Sequence, residues 1–556
     1  MVARESEQVA LLRRKLGVRL QLARATAGLT QSQLAIAAFR DRTTVAHIEK
    51  GRLRADDGFW ATADQMCGTD GALLTAYAEL QAMQAKEEVK QREAVLAEAQ
   101  AQLDRLSSLD AATSERTGTE EHGLARLDTT PLNEDRHVGA ALGWLDRAAG
   151  WSPGTARRAV AARFAAVDVG QVRDLALHRG RVGQREVAEV LRSYYSDTVD
   201  GYGTYEVTVD GGATVGTSVV TRPDWLDLGC VLTPDTDRLR FSASLPAPAA
   251  RLDEQSADRA VNRLAETLAI GTRLIDLPLY WLAELDVSGG NVAGRLGVTQ
   301  FAHFGLTLDL LESELLGALA SGTSELPLRD KYLPDMASVV DFSRRLCIVG
   351  VVAVCAIARP PGPHGDADYL MLAQRRSGHV VNAARRLALI PRGFHQPLAD
   401  YRDDARIRVT VLREMEEELF GRDDVDNTSG DQRSADPMHP SRLSEPMTWL
   451  LEHPDRLRIE CTGLGLNTVN GNHDIACLIV IEDEQFWTQY GGLIEANWES
   501  SSLHRYSTRD PESIADLITD EAWTAEGPFA LTQGLRRLTT TNNPRTDLPH
   551  ITWSLT

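Results

Sequence analysis

Apolar positions in the first eighty residues recur with a helical period. Leu12, Leu16 and Leu20 share one face of a run that ends at Gly28, and this spacing predicts a helix. Shorter helical segments follow, broken near Phe39–Asp41 and at Gly51, so residues 1–78 read as a compact all-α unit. The next stretch, "ELQAMQAKEEVKQREAVLAEAQAQLDRL", has no Gly or Pro and is rich in helix formers. It predicts a long helix or short coiled coil over 79–108, with Ala-rich heptads interrupted by Glu87 and Lys90. The polar run "SSLDAATSERTGTEEHG" then marks a flexible linker, placed at 109–139.

Past residue 140 the period changes. Helical patterns over Thr155–Tyr195 lead into "TYEVTVDGGATVGTSVVT", two β-rich runs around Asp-Gly-Gly, which is a hairpin signal. Leu306–Leu319 reads as another helix. "SGGNVAGRLG" matches neither GxGxxG nor GxxxxGK[ST] and reads as a plain loop. Residues 140–335 are therefore expected to form an α+β middle domain whose sequence states no role. From 336 onward long apolar strands dominate. "LCIVGVVAVCAIA", Leu346–Ala358, is shorter than the ~18 residues of a membrane span and reads as a buried strand. "YLMLAQRRS", "LALIPRGFHQP" and the charged helix "VLREMEEELFG" follow. A polar insertion, "GRDDVDNTSGDQRSADPMHP", precedes further strands that turn at Asn470–Gly471, and "GPFALTQGLRRL" closes the domain as a helix.

Composition narrows the class. A chain of 556 residues with 43% hydrophobic and 25% charged content suits a soluble, multidomain protein. No leader or membrane segment is expected. Six cysteines without a CxxC pair suit a reducing cytoplasm and give no zinc site. The charge is uneven: residues 1–54 carry eleven Lys/Arg against four Asp/Glu, a net of +7, so the rest of the chain carries −27 of the total −20. One basic end on an acidic protein can lie on an anionic polymer while the remainder stays soluble.

Within that basic end, "LTQSQLAIAAFRDRTTVAHIEKGR", Leu29–Arg52, pairs an opening Thr30–Gln31 and inner Leu34 and Ala35 with Val45, Ile48, Glu49 and Gly51. Val45 and Ile48 lie three apart and can pack inward, leaving Arg42, Thr43, Ala46 and His47 outward, as a helix entering the major groove requires. The segment resembles the helix-turn-helix of the Cro/phage-repressor (XRE) family, without a gap. The resemblance implies double-stranded DNA as partner. Gln31, Arg42, Thr43 and His47 are then contact residues, and Arg40, Lys50 and Arg52 lie nearer the phosphates. Phe39 stands where the family usually has the turn glycine. The alternative is a helical hairpin that binds protein.

In the charged helix, Glu414, Glu417 and Glu418 stand at i, i+3 and i+4, on one face of an α-helix, while Glu416 is expected in solvent. Three converging carboxylates repel unless a cation lies between them, and such oxygen ligands suit Mg²⁺ or Mn²⁺. Arg413–Glu418 matches the REUxEE half of the Nudix box, so the region from 336 to 556 resembles a Nudix-like α/β/α sandwich. The resemblance implies metal ligation, and catalysis if active, by Glu414, Glu417 and Glu418, with Arg413 bracing the helix and Gly393 as the loop glycine. The other half of the box departs: Ala399 or Ala405 falls where a glutamate belongs, and Phe420 replaces the following glycine. His395 and His473 lie in or near this domain, either lining its pocket or, as a lone histidine more often is, ordinary core or surface residues.

The expected function is a transcriptional regulator, a homodimer through half-site logic, whose Nudix-like domain senses a nucleotide-like or diphosphate-containing ligand. The alternative is a metal-dependent hydrolase of nucleoside diphosphate derivatives with a DNA-binding end. A scaffold whose middle domain binds another protein is a third reading.

Overall fold

The computed structural model describes residues 7–38, 42–50, 57–69, 71–78, 80, 83, 135–272, 274–362, 365–376, 386–421, 438–491, 494, 500–540 and 543–556. They fall into two units, 1–128 and 129–556. The long helix expected at 79–108, apart from residues 80 and 83, most of the linker and the polar insertion around 422–437 lie outside the described residues.

The N-terminal unit contains helices α1 (Glu7–Thr26), α2 (Gln31–Ala37), α3 (Arg42–Glu49) and α4 (Asp57–Cys67), with a further helical stretch at 72–78. Gly28 ends α1 as its place in the sequence predicts. Its φ of 70° lets the N–H groups of Gly28 and Leu29 reach the carbonyls of Ala25 and Arg24, closing the helix end. Thr30 then opens α2: its hydroxyl accepts from Gln33 N, and Gln33 Oε1 accepts from Thr30 N at 2.8 Å, a reciprocal cap. Leu16, Leu20, Leu34, Ala35, Val45 and Ile48 are buried together with Phe59, Trp60 and Ala63. Gly17 brings α1 onto the C-terminal end of α3, since a Cβ there would overlap the carbonyl oxygens of Ile48 and Glu49.

The second unit spans both regions that the sequence divides at 335. Strands from both sides hydrogen-bond in one sheet, in the order β13-β8-β7-β12-β11-β2-β1-β14. The early strands are β1 (Gly203–Val209), β2 (Ala213–Thr221) and β3 (Cys230–Val231). The later ones are β7 (Val349–Arg359), β8 (Asp368–Arg376), β9 (Leu387–Leu389), β10 (Arg392–Phe394), β11 (Leu457–Asn467), β12 (His473–Ile481), β13 (Ser500–Ser507) and β14 (Ile551–Leu555). The expected hairpin is β1–β2, with Asp210 and Gly211 at positive φ in its turn. Its outer edge is closed by β14 and its inner edge by β11, pairings that local periodicity does not encode. A small second sheet, β4 (Asp237–Phe241), β6 (Asn291–Gln300) and β5 (Pro278–Ser288), corrects the loop expected at "SGGNVAGRLG". Gly289 and Gly290, both at positive φ, are a two-residue turn and the rest of that stretch is strand.

Strand β7 explains its own continuous apolar run. Val351, Ala353, Cys355 and Ile357 enter one core and Val352, Val354, Ala356 and Ala358 the other, so both faces are buried. One face is covered by the C-terminal helices Pro511–Thr519 and Gly527–Thr540. The other is covered by Ile407–Glu414, Glu445–Glu452 and Glu484–Tyr490. Five of the six cysteines are buried, and none forms a disulfide. Before the sheet stand α5 (Arg136–Ala148), α6 (Thr155–Ala165), α7 (Val169–Arg179) and α8 (Gln184–Tyr194), followed later by α9 (Glu254–Ala269), α10 (Phe301–Gly305), α11 (Leu310–Ser321) and α12 (Pro327–Tyr332). Helix α5 starts inside the expected linker because Asp135 accepts from His137 N and Val138 N and caps it.

Candidate functional site

In the N-terminal unit, α3 is fixed by a carboxylate at its own C-terminal end. Glu49 is buried and accepts from Arg24 Nε at 2.5 Å, from Arg24 Nη2 at 3.2 Å and from Gln31 Nε2 at 2.8 Å. Arg24 also donates to Leu29 O at 2.7 Å, so one ion pair joins α1, the α1–α2 turn, α2 and α3. The Glu49 carboxylate raises the Arg24 guanidinium above its ordinary range. Gln31 is thus half-buried and engaged within the unit. Arg42 stands exposed at the start of α3 and Lys50 exposed just beyond its end. Thr43 and His47 lie on α3, with side chains outside the described residues, as are Arg40 and Arg52. The pairing of Glu49 with Arg24 and Gln31 is not encoded in local spacing. Its signal is an acid at the end of an otherwise basic segment.

In the second unit, Ile407–Glu414 is α-helical (α13 is Met336–Val340, so this helix is α14), and the chain widens to a π-turn over Met415–Leu419. The α-helical spacing assumed for Glu417 and Glu418 therefore does not hold, because a π-turn advances each residue by a smaller angle. Arg413 is 1% exposed and donates to Phe394 O at 2.9 Å, Gln396 O at 3.2 Å and Glu414 Oε1 at 2.5 Å, tying α14 to β10 and the loop after it. Gly393 faces the Glu414 carboxylate, which a Cβ would overlap. Glu418 uses both oxygens: one accepts from Arg392 N at 2.6 Å, the other from Gln374 Nε2 at 3.2 Å. Glu417 Oε1 lies 4.0 Å from Arg413 Nε. Glu416, expected in solvent, is fully buried and accepts from Ser444 N and Ser444 Oγ, both at 2.7 Å, which anchors the next segment.

Glu414 and Glu418 thus flank β10 and accept from protein donors. Among the described residues no group of three His, Cys, Asp or Glu side chains is arranged to hold a metal ion.

The two histidines are core residues. His395 Nδ1 lies 2.7 Å from Thr410 Oγ1 and Nε2 3.0 Å from Ala405 O, and burial pushes its pKa down to about 3. His473 is buried between Trp225 and Phe342, with no hydrogen-bond partner at either ring nitrogen, and burial also lowers it to about 3.

Against known proteins, a helix-turn-helix domain family matches residues 15–76, a span that runs from within α1 through α4 and most of the helical stretch that follows. No curated protein matches the chain. Among the described residues no helix is long and apolar enough to cross a membrane.

Proposed function

We propose that the chain is a DNA-binding transcriptional regulator that reads double-stranded DNA through α3, and that its second unit senses a nucleotide-like or diphosphate-containing ligand. The observation that carries the DNA half is the helix-turn-helix match over 15–76, on the basic end of an otherwise acidic chain. It is supported by α3 being locked from behind through Glu49 while Arg42 and Lys50 face outward. The Nudix-like reading of the second unit is supported by Arg413–Glu418 packing on β10 in a mixed sheet with helices on both faces. Sensing is favoured over hydrolysis because Glu414 and Glu418 accept from protein donors, and metal-assisted attack needs carboxylates available to an ion. A ligand then changes DNA affinity only by favouring one arrangement of the chain over another.

Selection from a random duplex library with the full-length chain tests the DNA half. An enriched sequence is expected, with Arg42→Ala costing about 1–3 kcal/mol on it. No enrichment, or equal binding of every duplex by wild type and variant, overturns it. The sensing half is tested on nucleoside diphosphate compounds with Mg²⁺ or Mn²⁺, followed by mass spectrometry. Turnover that disappears in the Glu417→Gln, Glu418→Gln double variant makes the protein a hydrolase. Thermal stabilisation without turnover is the expected result. Dimerisation rests on half-site geometry, and a monomeric mass by light scattering with and without selected DNA removes it.

A further inference from the structure

Between α7, α9, α11 and the start of α12 lies a cavity of about 310 Å³. Three arginines line it: Arg179, the last residue of α7, and Arg259 and Arg263, one turn apart on α9. Arg263 is engaged, donating to Asp309 at 2.6 Å and Ser313 Oγ at 3.3 Å. Glu314, also on the wall, accepts from the N–H groups of Leu328 and Arg329 at 2.8 and 3.0 Å, so its charge is spent on opening α12. Arg179 differs: its Nε is buried with no hydrogen-bond partner. Burial lowers its pKa; Glu266 opposes the shift, while Arg263 and Arg259 add to it. The end of α7 is nonetheless held in place, because Arg386 donates to Val182 O at 2.6 Å and to Arg179 O at 3.3 Å. Gly317 on α11 leaves room beside the guanidinium, where even a Cβ would stand 3.7 Å away.

A buried guanidinium N–H without a partner, as at Arg179 Nε, is costly unless something accepts from it. We infer that this cavity binds a small phosphate-bearing metabolite, with its phosphate on Arg179 and Arg259 and its hydroxyl groups toward Glu266. Two guanidinium forks match a phosphate dianion in charge and geometry. The volume lies at the low end of small-molecule pockets, which suits a sugar-sized phosphate better than a dinucleotide. None of the lining residues belongs to the acidic segment, so the site stands apart from the Nudix-like reading.

Isothermal titration of the full-length chain without DNA, using inorganic phosphate and inorganic pyrophosphate at low ionic strength, tests it. Pyrophosphate should fill one site per chain with a Kd of about 1 mM or tighter. Arg179→Gln combined with Arg259→Gln should weaken it by roughly tenfold or more, as expected for lost charge-assisted bonds. Arg259→Gln alone, at an exposed position, should weaken it severalfold and keeps the test valid if the double variant fails to fold. Arg173→Gln, exposed on the same α7 and outside the cavity, removes equal charge and should bind as wild type. Absence of binding at 10-fold above that range, or equal affinity in the cavity variants and wild type, overturns the site. DNA plays no part in this readout, so its failure leaves the regulator reading intact, and a failed DNA selection leaves the cavity standing.

Discussion

Gly17 and Gly139 both lie inside helices, and replacing each with alanine should move stability in opposite directions. In a helix interior alanine is favoured over glycine by about 1 kcal/mol. At Gly139, on α5, a Cβ would meet nothing within 4 Å, so Gly139→Ala should gain about that amount. At Gly17 the new Cβ would lie 2.5 Å from the Glu49 carbonyl oxygen and closer still to that of Ile48, where real contacts essentially never fall below 3.0 Å. Both obstacles are backbone atoms and cannot rotate aside. Helix α1 must then retreat from α3 by roughly half an ångström at least, opening the core around Leu16, Leu20, Val45 and Ile48, and overpacking of this kind costs about 1–3 kcal/mol. The clash outweighs the propensity, and Gly17→Ala should lose about 1–2 kcal/mol net. Hydrogen exchange read by mass spectrometry separates the two units of the full-length chain. Peptides from 12–38 and 42–50 should exchange about 5–30-fold faster in Gly17→Ala, and those from 136–148 about fivefold slower in Gly139→Ala. Greater protection of 12–38 in Gly17→Ala would mean that α1 does not lie on the end of α3.

Glu49→Ala leaves Arg24 and Gln31 without their acceptor and should cost about 3 kcal/mol, and the Arg24→Met, Glu49→Leu pair should recover most of it, read as denaturation midpoints of the N-terminal unit. Acid should destabilise the second unit through His395 and His473. Their folded pKa values of about 3 lie below the unfolded value near 6.5, so the unfolded chain takes up protons first as pH falls. The stability they contribute is whole above pH 6.5 and is lost toward pH 3 at roughly 1.4 kcal/mol per pH unit for each histidine. His473→Phe, which removes no hydrogen bond, should remove about half of that slope in thermal melts taken from pH 7 to 5, and an unchanged slope would refute the assignment. Asp474 acts the other way: burial beside Glu526 raises its carboxyl to about 7, so its contribution is present in acid and lost as pH rises through 7. Asp474→Asn should therefore stabilise the protein more at pH 8 than at pH 5, because the loss accrues from the unfolded value near 3.8 up to 7, as read in paired melts. Mg²⁺ or Mn²⁺ at millimolar concentration should leave the melting temperature unchanged; a clear metal-dependent rise that Glu418→Gln removes would show that the Glu414–Glu418 segment opens to bind an ion.

Local signals in the sequence were reliable where one segment decides its own structure. Gly28 and the opening Thr30 marked the α1–α2 junction, and Asp210–Gly211 and Gly471 marked real turns. Leu16, Leu34, Val45 and Ile48 reached the interior as their spacing demands. What was not legible depends on partners far away in the chain. The hairpin β1–β2 carries no mark that β11 and β14 would flank it, so a domain boundary near 335 looked natural. The arginines of that cavity, Arg179, Arg259 and Arg263, likewise come from two helices far apart in the chain, and isolated arginines along helices give no hint that they meet.

The acidic segment shows why spacing alone is a weak guide to chemistry. An i, i+3, i+4 triplet of glutamates is compatible with a metal face, yet it is equally compatible with carboxylates that terminate strands and cap loops. The deciding facts are tertiary. The N–H of Arg392, at the start of β10, needs an acceptor, and Glu418 supplies it. Ser444 opens the helix Glu445–Glu452, and Glu416 accepts from its N–H and hydroxyl. Arg413, almost wholly buried, needs anions and carbonyls around its fork and finds Glu414, Phe394 and Gln396. Each carboxylate so engaged is tied to the interior of the second unit, and moving one toward an ion would strip a buried donor at a cost of about 1–3 kcal/mol.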